Sequence, residues 1–272
     1  MYFDEDLILD LRLNYLNDFV DKFVIVESTY SHNGEKRKPQ FDIKKFKKFE
    51  NKIIYLLIDH QEKDFFSIKD TDNLNEIAGK KVMNALKREN YQRDFLINVL
   101  IEATDEDWII ISDLDEIPNL EMNNLRECEN KIVFFKQIMI YYKLNLYLAE
   151  FPWIGSKACK KSVLRSPQWL RNLKVKKNFL KYFKRGINVI DNGGWHFSYL
   201  KKPIDIKKKI ESFAHSELNK ERFKNIENIE KNILQGADLY NTDLYYSKIP
   251  IDNDFPKYLI ENLNKYKEWI AD

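Results

Sequence analysis

Three short apolar runs, KFVIVE at 22–27, IIYLLI at 53–58 and WIIIS at 108–112, alternate with stretches of helical periodicity in the first half of the chain. Short runs rich in Ile and Val are what a strand buried on both faces requires. Between them, Asp6 to Leu16 carries its leucines and Ile8 at helical spacing, and Phe41 to Phe49 also reads as a helix. A longer helical region runs from Asn75 to Ala103, with Gly79 and Asn90 as its weak points. Strands alternating with helices predict an α/β fold: a mostly parallel, Rossmann-like sheet with helices on both faces. The second half is mixed. Lys131 to Leu148 predicts one or two long strands, and Ile187 to Leu200 a strand interrupted at Gly193-Gly194. Ile204 to His215, Glu221 to Gln235 and a tail from Pro256 to Ile270 predict helices. No linker rich in Ser, Gly or Pro divides residues 1–272, so a single continuous domain is expected.

Several function classes fall away on composition. Hydrophobic residues make up 44% and aromatic residues 14% of the chain, enough to form a core and incompatible with disorder. The formal net charge is only +2, which offers little attraction for nucleic acid. The most basic stretch, Lys174 to Arg185, reads as a solvated lysine-rich surface before a phosphate- or membrane-attracting patch. Cys128 and Cys159 lack metal-ligand spacing and fit a reducing compartment. The start is acidic rather than signal-like, and no apolar run reaches the ~20 residues that cross a bilayer. The expected location is the cytoplasm, with peripheral contact at the inner membrane face still open.

Five Asp-x-Asp triplets occur: Asp4–Asp6, Asp70–Asp72, Asp105–Asp107, Asp113–Asp115 and Asp252–Asp254. Four stand in polar surroundings, where a turn, a cap or a solvated loop explains them. Asp113–Asp115 instead follows the WIIIS run directly and is closed by Glu116-Ile117-Pro118. Ligands of open α/β sheets bind beyond the carboxyl ends of strands. Residues i and i+2 of an extended segment project to the same side, so these two carboxylates are expected to converge. Carboxylates are hard ligands for Mg²⁺ or Mn²⁺, ions that bridge protein acids to substrate phosphates. The competing structural explanation is an acidic loop capping a helix that begins near Asn119.

The segment ISDLDEIP (Ile111 to Pro118) resembles the metal-site signature of glycosyltransferase family 17, which includes the β-1,4-mannosyl-glycoprotein 4-β-N-acetylglucosaminyltransferases. Three other segments agree in order and spacing. Leu7 to Leu16 with Asp21 to Glu27 resembles the opening helix and first strand, and Ser31-His32-Asn33-Gly34 with Lys38-Pro39 the loop after it. Gly193 to Tyr199, with Ser212 to His215 behind it, resembles the C-terminal signature. The resemblance implies a GT-A fold. Residues 1–118 would form the nucleotide-binding half, 119–240 the half that completes the metal and acceptor sites, and 241–272 a helical tail. It also implies an inverting glycosyltransferase that needs Mn²⁺ or Mg²⁺ and uses a UDP-sugar donor, with N-acetylglucosamine the first choice of sugar. The acceptor would be a hydroxyl of a glycan, glycolipid or glycoprotein. Eukaryotic members are Golgi membrane proteins acting on N-glycans, and the lack of an anchor here predicts a different acceptor.

Carried onto this sequence, the scheme makes Asp115 the first metal ligand, with Asp113 either ligating too or holding the ribose. His196, behind two glycines, would complete the coordination. Glu27, His32, Lys38, Arg93, Gly194 and Trp195 are the candidates around the donor. Glu27 would meet base or ribose, and Lys38 a phosphate. Arg93 would meet either the diphosphate or a structural carboxylate, since a guanidinium forks onto both. Trp195 would stack on a sugar or pack in the core. Glu116 would support the aspartates from within the catalytic group. Asp191 is the first candidate for the base that deprotonates the acceptor, ahead of Glu150, Glu211 and Glu217. Two other classes compete: a GT-A-like nucleotidyltransferase, disfavoured by the single glycine between Glu27 and Gly34, and a non-catalytic carbohydrate-binding protein, which needs no acidic strand end.

Overall fold

The computed structural model describes residues 1–174, 186–212, 221–240, 242 and 244–272. Residues 175–185 of the lysine-rich run, together with His215 and Glu217, lie outside the described residues, as does the side chain of Glu150. Helix α1 (Asp6–Leu16) buries Ile8, Leu9, Leu11, Leu13, Tyr15 and Leu16. Strand β1 (Phe23–Ser28) follows and pairs in parallel with β2 (Ile53–Ile58), Phe23 opposite Ile53 and Ser28 opposite Ile58. Phe41 to Phe49, read as a helix, forms a 3₁₀ segment over Ile43–Phe49.

Helix α2 (Leu74–Asp94) starts on a capping box, in which the Asn73 side chain accepts from the Glu76 amide and Glu76 reaches back to the Asn73 amide. The helix passes into a 3₁₀ segment at Phe95–Glu102. The change falls at Asp94–Phe95 and not at Gly79 or Asn90. A single exposed glycine costs a helix only about 1 kcal/mol, too little to break one that is capped and tied at its far end.

The remaining strands are β3 (Trp108–Ile111), β4 (Glu116–Pro118), β5 (Ile132–Tyr141), β6 (Leu146–Lys160), β7 (Ile187–Ile190), β8 (Gly194–Ser198) and β9 (Ser247–Lys248). They form one seven-stranded sheet in the order β3-β6-β5-β8-β4, with β7 on β5 and β9 on β6. Within it only β7 and β8 run parallel to β5, and every other pairing is antiparallel. The fold is therefore mixed α/β. The expected mostly parallel, Rossmann-like sheet is reduced to the β1–β2 pair. An apolar run reports burial on two faces, but strand direction depends on the neighbour, and β3 takes β6 from far along the chain.

The second-half helices are α3 (Pro167–Asn172), α4 (Pro203–Ser212), α5 (Glu221–Lys224), α6 (Ile226–Gln235) and α7 (Lys257–Glu261). The tail read as one helix breaks at Asn262 (φ −126°, ψ 28°) and continues as a 3₁₀ segment, Leu263–Trp269. Both parts are drawn into the main core, where Leu259 and Tyr266 pack with α1, Ile117, Phe135 and Trp195. Among the described residues no helix is long and apolar enough to cross a membrane.

The glycine pair ahead of His196 serves strand packing. A Cβ on Gly193 would lie 2.5 Å from the Lys136 amide nitrogen, and one on Gly194, at φ +120°, 2.2 Å from the Ile117 carbonyl oxygen. Only hydrogen on both Cα atoms lets β8 slot between β5 and β4 at this spacing. Gly193→Ala should destabilise the fold by about 1–3 kcal/mol through overpacking against backbone. Urea denaturation of the variant beside the native chain measures this directly.

Candidate active site

Strand β3 ends at Ile111, and residues 112–116 turn back sharply toward β4. The turn is closed twice: the Glu116 amide donates to the Asp113 carbonyl (3.1 Å), and the Asp113 amide donates to Glu116 Oε2 (3.0 Å). The segment is a turn rather than an extended strand, and it gives the two aspartates separate sets of partners. Arg12, from α1, holds the turn from behind, donating to the carbonyls of Asp113 (3.3 Å) and Glu116 (2.5 Å). Burial pushes its pKa down to about 10, and the nearby carboxylates limit the fall.

Glu116 is the best-anchored side chain of the group, 1% exposed. Trp153 Nε1 donates to its Oε1 (2.6 Å), while Arg171 forks onto it with Nη1 to Oε2 (2.7 Å) and Nη2 to Oε1 (2.8 Å). Gly155 makes this possible. A Cβ there would fall 2.3 Å from the Glu116 carboxylate carbon, and its carbonyl accepts from Arg171 Nη1 (2.5 Å). The supporting role expected of Glu116 is consistent with this arrangement, in which both of its oxygens are held by protein donors.

Arg171 also reaches Asp113 Oδ2 (2.7 Å), and Arg93 takes the other oxygen, Oδ1, at 3.0 Å. Burial alone would raise the Asp113 pKa. Arg171 and then Arg93 outweigh it and hold this carboxyl well below the usual range. Arg93 is itself bound to Glu89 (3.0 Å) and donates to Gln168. Of the two partners expected for Arg93, the described structure thus supplies the carboxylate. Helix α3 carries Arg171 and begins with Ser166 accepting from the Trp169 amide (3.1 Å) and Pro167 at its first position. The Gln168 amide donates to Asp94 Oδ1 (2.7 Å), which ties α3 to the end of α2.

Asp115 lies on the other side of the turn. The Phe197 amide donates to its carbonyl (2.8 Å), so β8 fixes its backbone. Its Oδ1 is 3.6 Å from His196 Nε2 and its Oδ2 is 3.7 Å from Lys209 Nζ on α4. Burial would raise its pKa as well, but His196 and then Lys209 pull it below the carboxylate range, so Asp115 is ionised at neutral pH. Burial works to lower the His196 pKa, and Asp115 overcomes this to raise it. His196 packs against Trp153 with the rings tilted by 32° (centroids 5.0 Å apart), and its Nδ1 is buried without a hydrogen-bond partner.

The other expected donor-site residues are scattered. Glu27 is wholly buried and accepts from the amides of Gln40 (2.7 Å) and Phe41 (3.1 Å), from Tyr55 Oη (2.9 Å) and from Arg37 (3.1 Å). It orders the loop after β1. His32 pairs with Gln92 (3.0 Å) on the face of α2 that carries Arg93, and burial lowers its pKa. Lys38 is exposed on the same loop. Trp195 is buried edge-on to Tyr15 (5.3 Å) and donates to the Asp254 carbonyl (2.9 Å), with no face free for a sugar. Asp191 is 86% exposed and ion-paired with Lys136 (2.8 Å). The register, with His196 opposite Glu116 and Gly194 opposite Pro118, carries it away from the Asp115–His196 pair. Glu211 is exposed at the end of α4.

Arg12, Arg171, Lys209 and Trp153 were not read as site residues from the sequence. Only α3 carries a local signal, its Ser-Pro start, and nothing local says that its arginine reaches back to Asp113. Among the described residues no group of three His, Cys, Asp or Glu side chains is placed to hold a metal ion. Asp115 with His196 offers one oxygen and one nitrogen. A cavity of about 710 Å³ lies between α1, β1 and β3, and its walls include Arg12, Ser112 and Leu114 but none of the site carboxylates.

Acids gathered at a strand end, each matched by a cationic side chain, form a charged cluster at the carboxyl end of β3, where ligands of α/β sheets commonly bind. The family model described as Glycosyltransferase family 17 matches residues 1–270, and the chain belongs to that family. Comparisons with curated proteins and with solved structures each found no match.

Truncating Glu116 would leave Arg171 and Trp153 Nε1 without their shared acceptor inside the protein. Glu116→Ala should therefore cost about 3–5 kcal/mol, the usual penalty for breaking a buried ion pair from one side. Chemical denaturation of both proteins reads this out.

Proposed function

We propose that this glycosyltransferase is metal-dependent and inverting, with a GT-A-type donor site centred on Asp115. The donor is a UDP-sugar, UDP-GlcNAc first among them, and the acceptor a glycan, glycolipid or glycoprotein hydroxyl. Family membership supports the sugar transfer. The observation that carries the metal reading is the placement of the ionised Asp115 carboxylate, through Oδ1, 3.6 Å from His196 Nε2.

The donor set fits a divalent cation. With metal–ligand bonds of about 2.0–2.2 Å, one ion spans two donors up to roughly 4 Å apart. One carboxylate and one imidazole leave most of the coordination sphere to substrate phosphates, as Mg²⁺ and Mn²⁺ commonly do. When bound, the ion supplies Lewis-acid stabilisation of the departing nucleotide diphosphate. The chain's own contributions are positional. Glu116 and Arg12 set the turn that aims Asp115, β8 fixes its carbonyl, and Lys209 offsets its charge. No transfer step is assigned to Asp191, Glu27 or Trp195, whose side chains are committed elsewhere. A cytoplasmic location, open to peripheral contact at the inner membrane face, is part of the same proposal.

Calorimetry tests the centre of this reading. UDP-GlcNAc should bind in the presence of Mn²⁺ and at least tenfold more weakly to Asp115→Ala, while His196→Ala should need more Mn²⁺ for the same binding. Equal binding by all three proteins would remove the assignment. A donor-hydrolysis assay across UDP-GlcNAc, UDP-glucose and UDP-galactose should favour the first, and a preference for either of the others would replace the proposed sugar.

A further inference from the structure

Asp113 is the most exposed acid of the ion network. Its side chain is 32% exposed, against 26% for Glu89 and 1% for Glu116, and the two arginines that clasp it are 4% (Arg93) and 15% (Arg171) exposed. The two guanidiniums arrive from different helices, α2 and α3, and take opposite oxygens of the same carboxylate. Each is anchored independently of Asp113: Arg93 by Glu89 and Gln168, Arg171 by Glu116 and the Gly155 carbonyl. Removing the Asp113 carboxylate would leave both forks in place, aimed at one solvent-facing point at the carboxyl end of β3.

Guanidinium forks match phosphate as well as they match carboxylate, and a diphosphate brings more charge and more acceptor oxygens than one aspartate. We propose that Arg93 and Arg171 form a clamp for the diphosphate of a nucleoside diphosphate ligand, and that Asp113 is the internal anion occupying it until the ligand arrives. Binding then exchanges one anion for another. The arginines pass from Asp113 to phosphate oxygens, and the Asp113 carboxylate is released beside Asp115. No covalent bond changes in the exchange. It rests on the reading of this site as a nucleotide-sugar site, and adds that Asp113 competes with the ligand in the resting state.

A competitor lowers apparent affinity by the fraction of time it occupies the site. The sign of the Asp113 effect therefore separates this proposal from direct metal ligation. The probe is inorganic pyrophosphate, titrated by calorimetry into the native chain, Asp113→Asn, Arg171→Ala and Arg171→Lys with EDTA present. Asp113→Asn should bind pyrophosphate about tenfold more tightly than the native chain, by removal of the competitor. Arg171→Ala should bind at least tenfold more weakly, and Arg171→Lys should fall between, retaining a charge but not the fork. A thermal melt of each variant confirms that it is folded, and Arg171→Lys carries the test should Arg171→Ala not fold. Equal or weaker binding by Asp113→Asn, or no pyrophosphate binding by any of the proteins, would overturn the clamp. Tighter binding by Asp113→Asn in a protein that turns over no UDP-sugar would keep the clamp and remove the proposed transferase donor.

Discussion

The fork of Arg171 onto Glu116 is the contact on which the rest of the site depends. It lies inside the protein, where an unpaired charge is costly, so each partner must be brought to the other by folded structure. Glu116 is delivered by β4 pairing with β8, and Arg171 by a short helix pinned to the end of α2. Gly155 clears the space between them, and Trp153 closes the remaining acceptor position. Once the pair is made, the turn from Asp113 to Glu116 has a single shape. That shape sends one aspartate to the arginines and the other to His196.

Charge in the site is balanced by position rather than by solvent. Arg12, Arg93, Arg171 and Lys209 surround Asp113, Asp115, Glu116 and Glu89, with ion-pair distances from 2.7 Å (Arg171–Asp113) to 3.7 Å (Lys209–Asp115), most of them sheltered from water. Such a network is stable only while every member is paired, and it responds sharply to an incoming ligand that carries its own charge. A phosphate-bearing substrate would enter a field already built from guanidinium forks, with Asp115 held ionised a few residues away. The polar and aromatic parts cooperate here. Trp153 bonds Glu116 through its indole nitrogen and covers His196 with its ring, so one side chain links the supporting acid to the imidazole.

Existence and type of the main elements were legible from local pattern. The three apolar runs became β1, β2 and β3, the leucine-spaced opening became α1, and the helical region read from Asn75 became α2 and the 3₁₀ segment after it. The triplet chosen from five, Asp113–Asp115, is the one whose acids sit in the buried ion network, because only it follows an apolar strand. Strand direction was not legible, since β3, β5 and β6 find partners by packing that a local period does not encode. The packing of the glycine pair against β5 and β4 was not legible either, since those strands come from elsewhere in the chain. Glu27 was read as a donor contact and Trp195 as a sugar platform or a core residue; the partners the fold gives them come from the loop near Gln40 and from Asp254, which no local pattern indicates.

What the amino-acid order determined by itself was the supply of parts: strand-forming runs, an acidic corner at the end of one of them, and motifs in the spacing of one glycosyltransferase family. Those follow from short-range periodicity and from residue type, which act over a few positions. Tertiary structure alone decided that Arg171 and Arg93 meet on Asp113, that Asp115 faces His196 and Lys209, and that Asp191 pairs with Lys136. These are contacts between residues as many as 94 positions apart (Asp115 and Lys209), closed only when separate elements pack and water leaves the space between their charges.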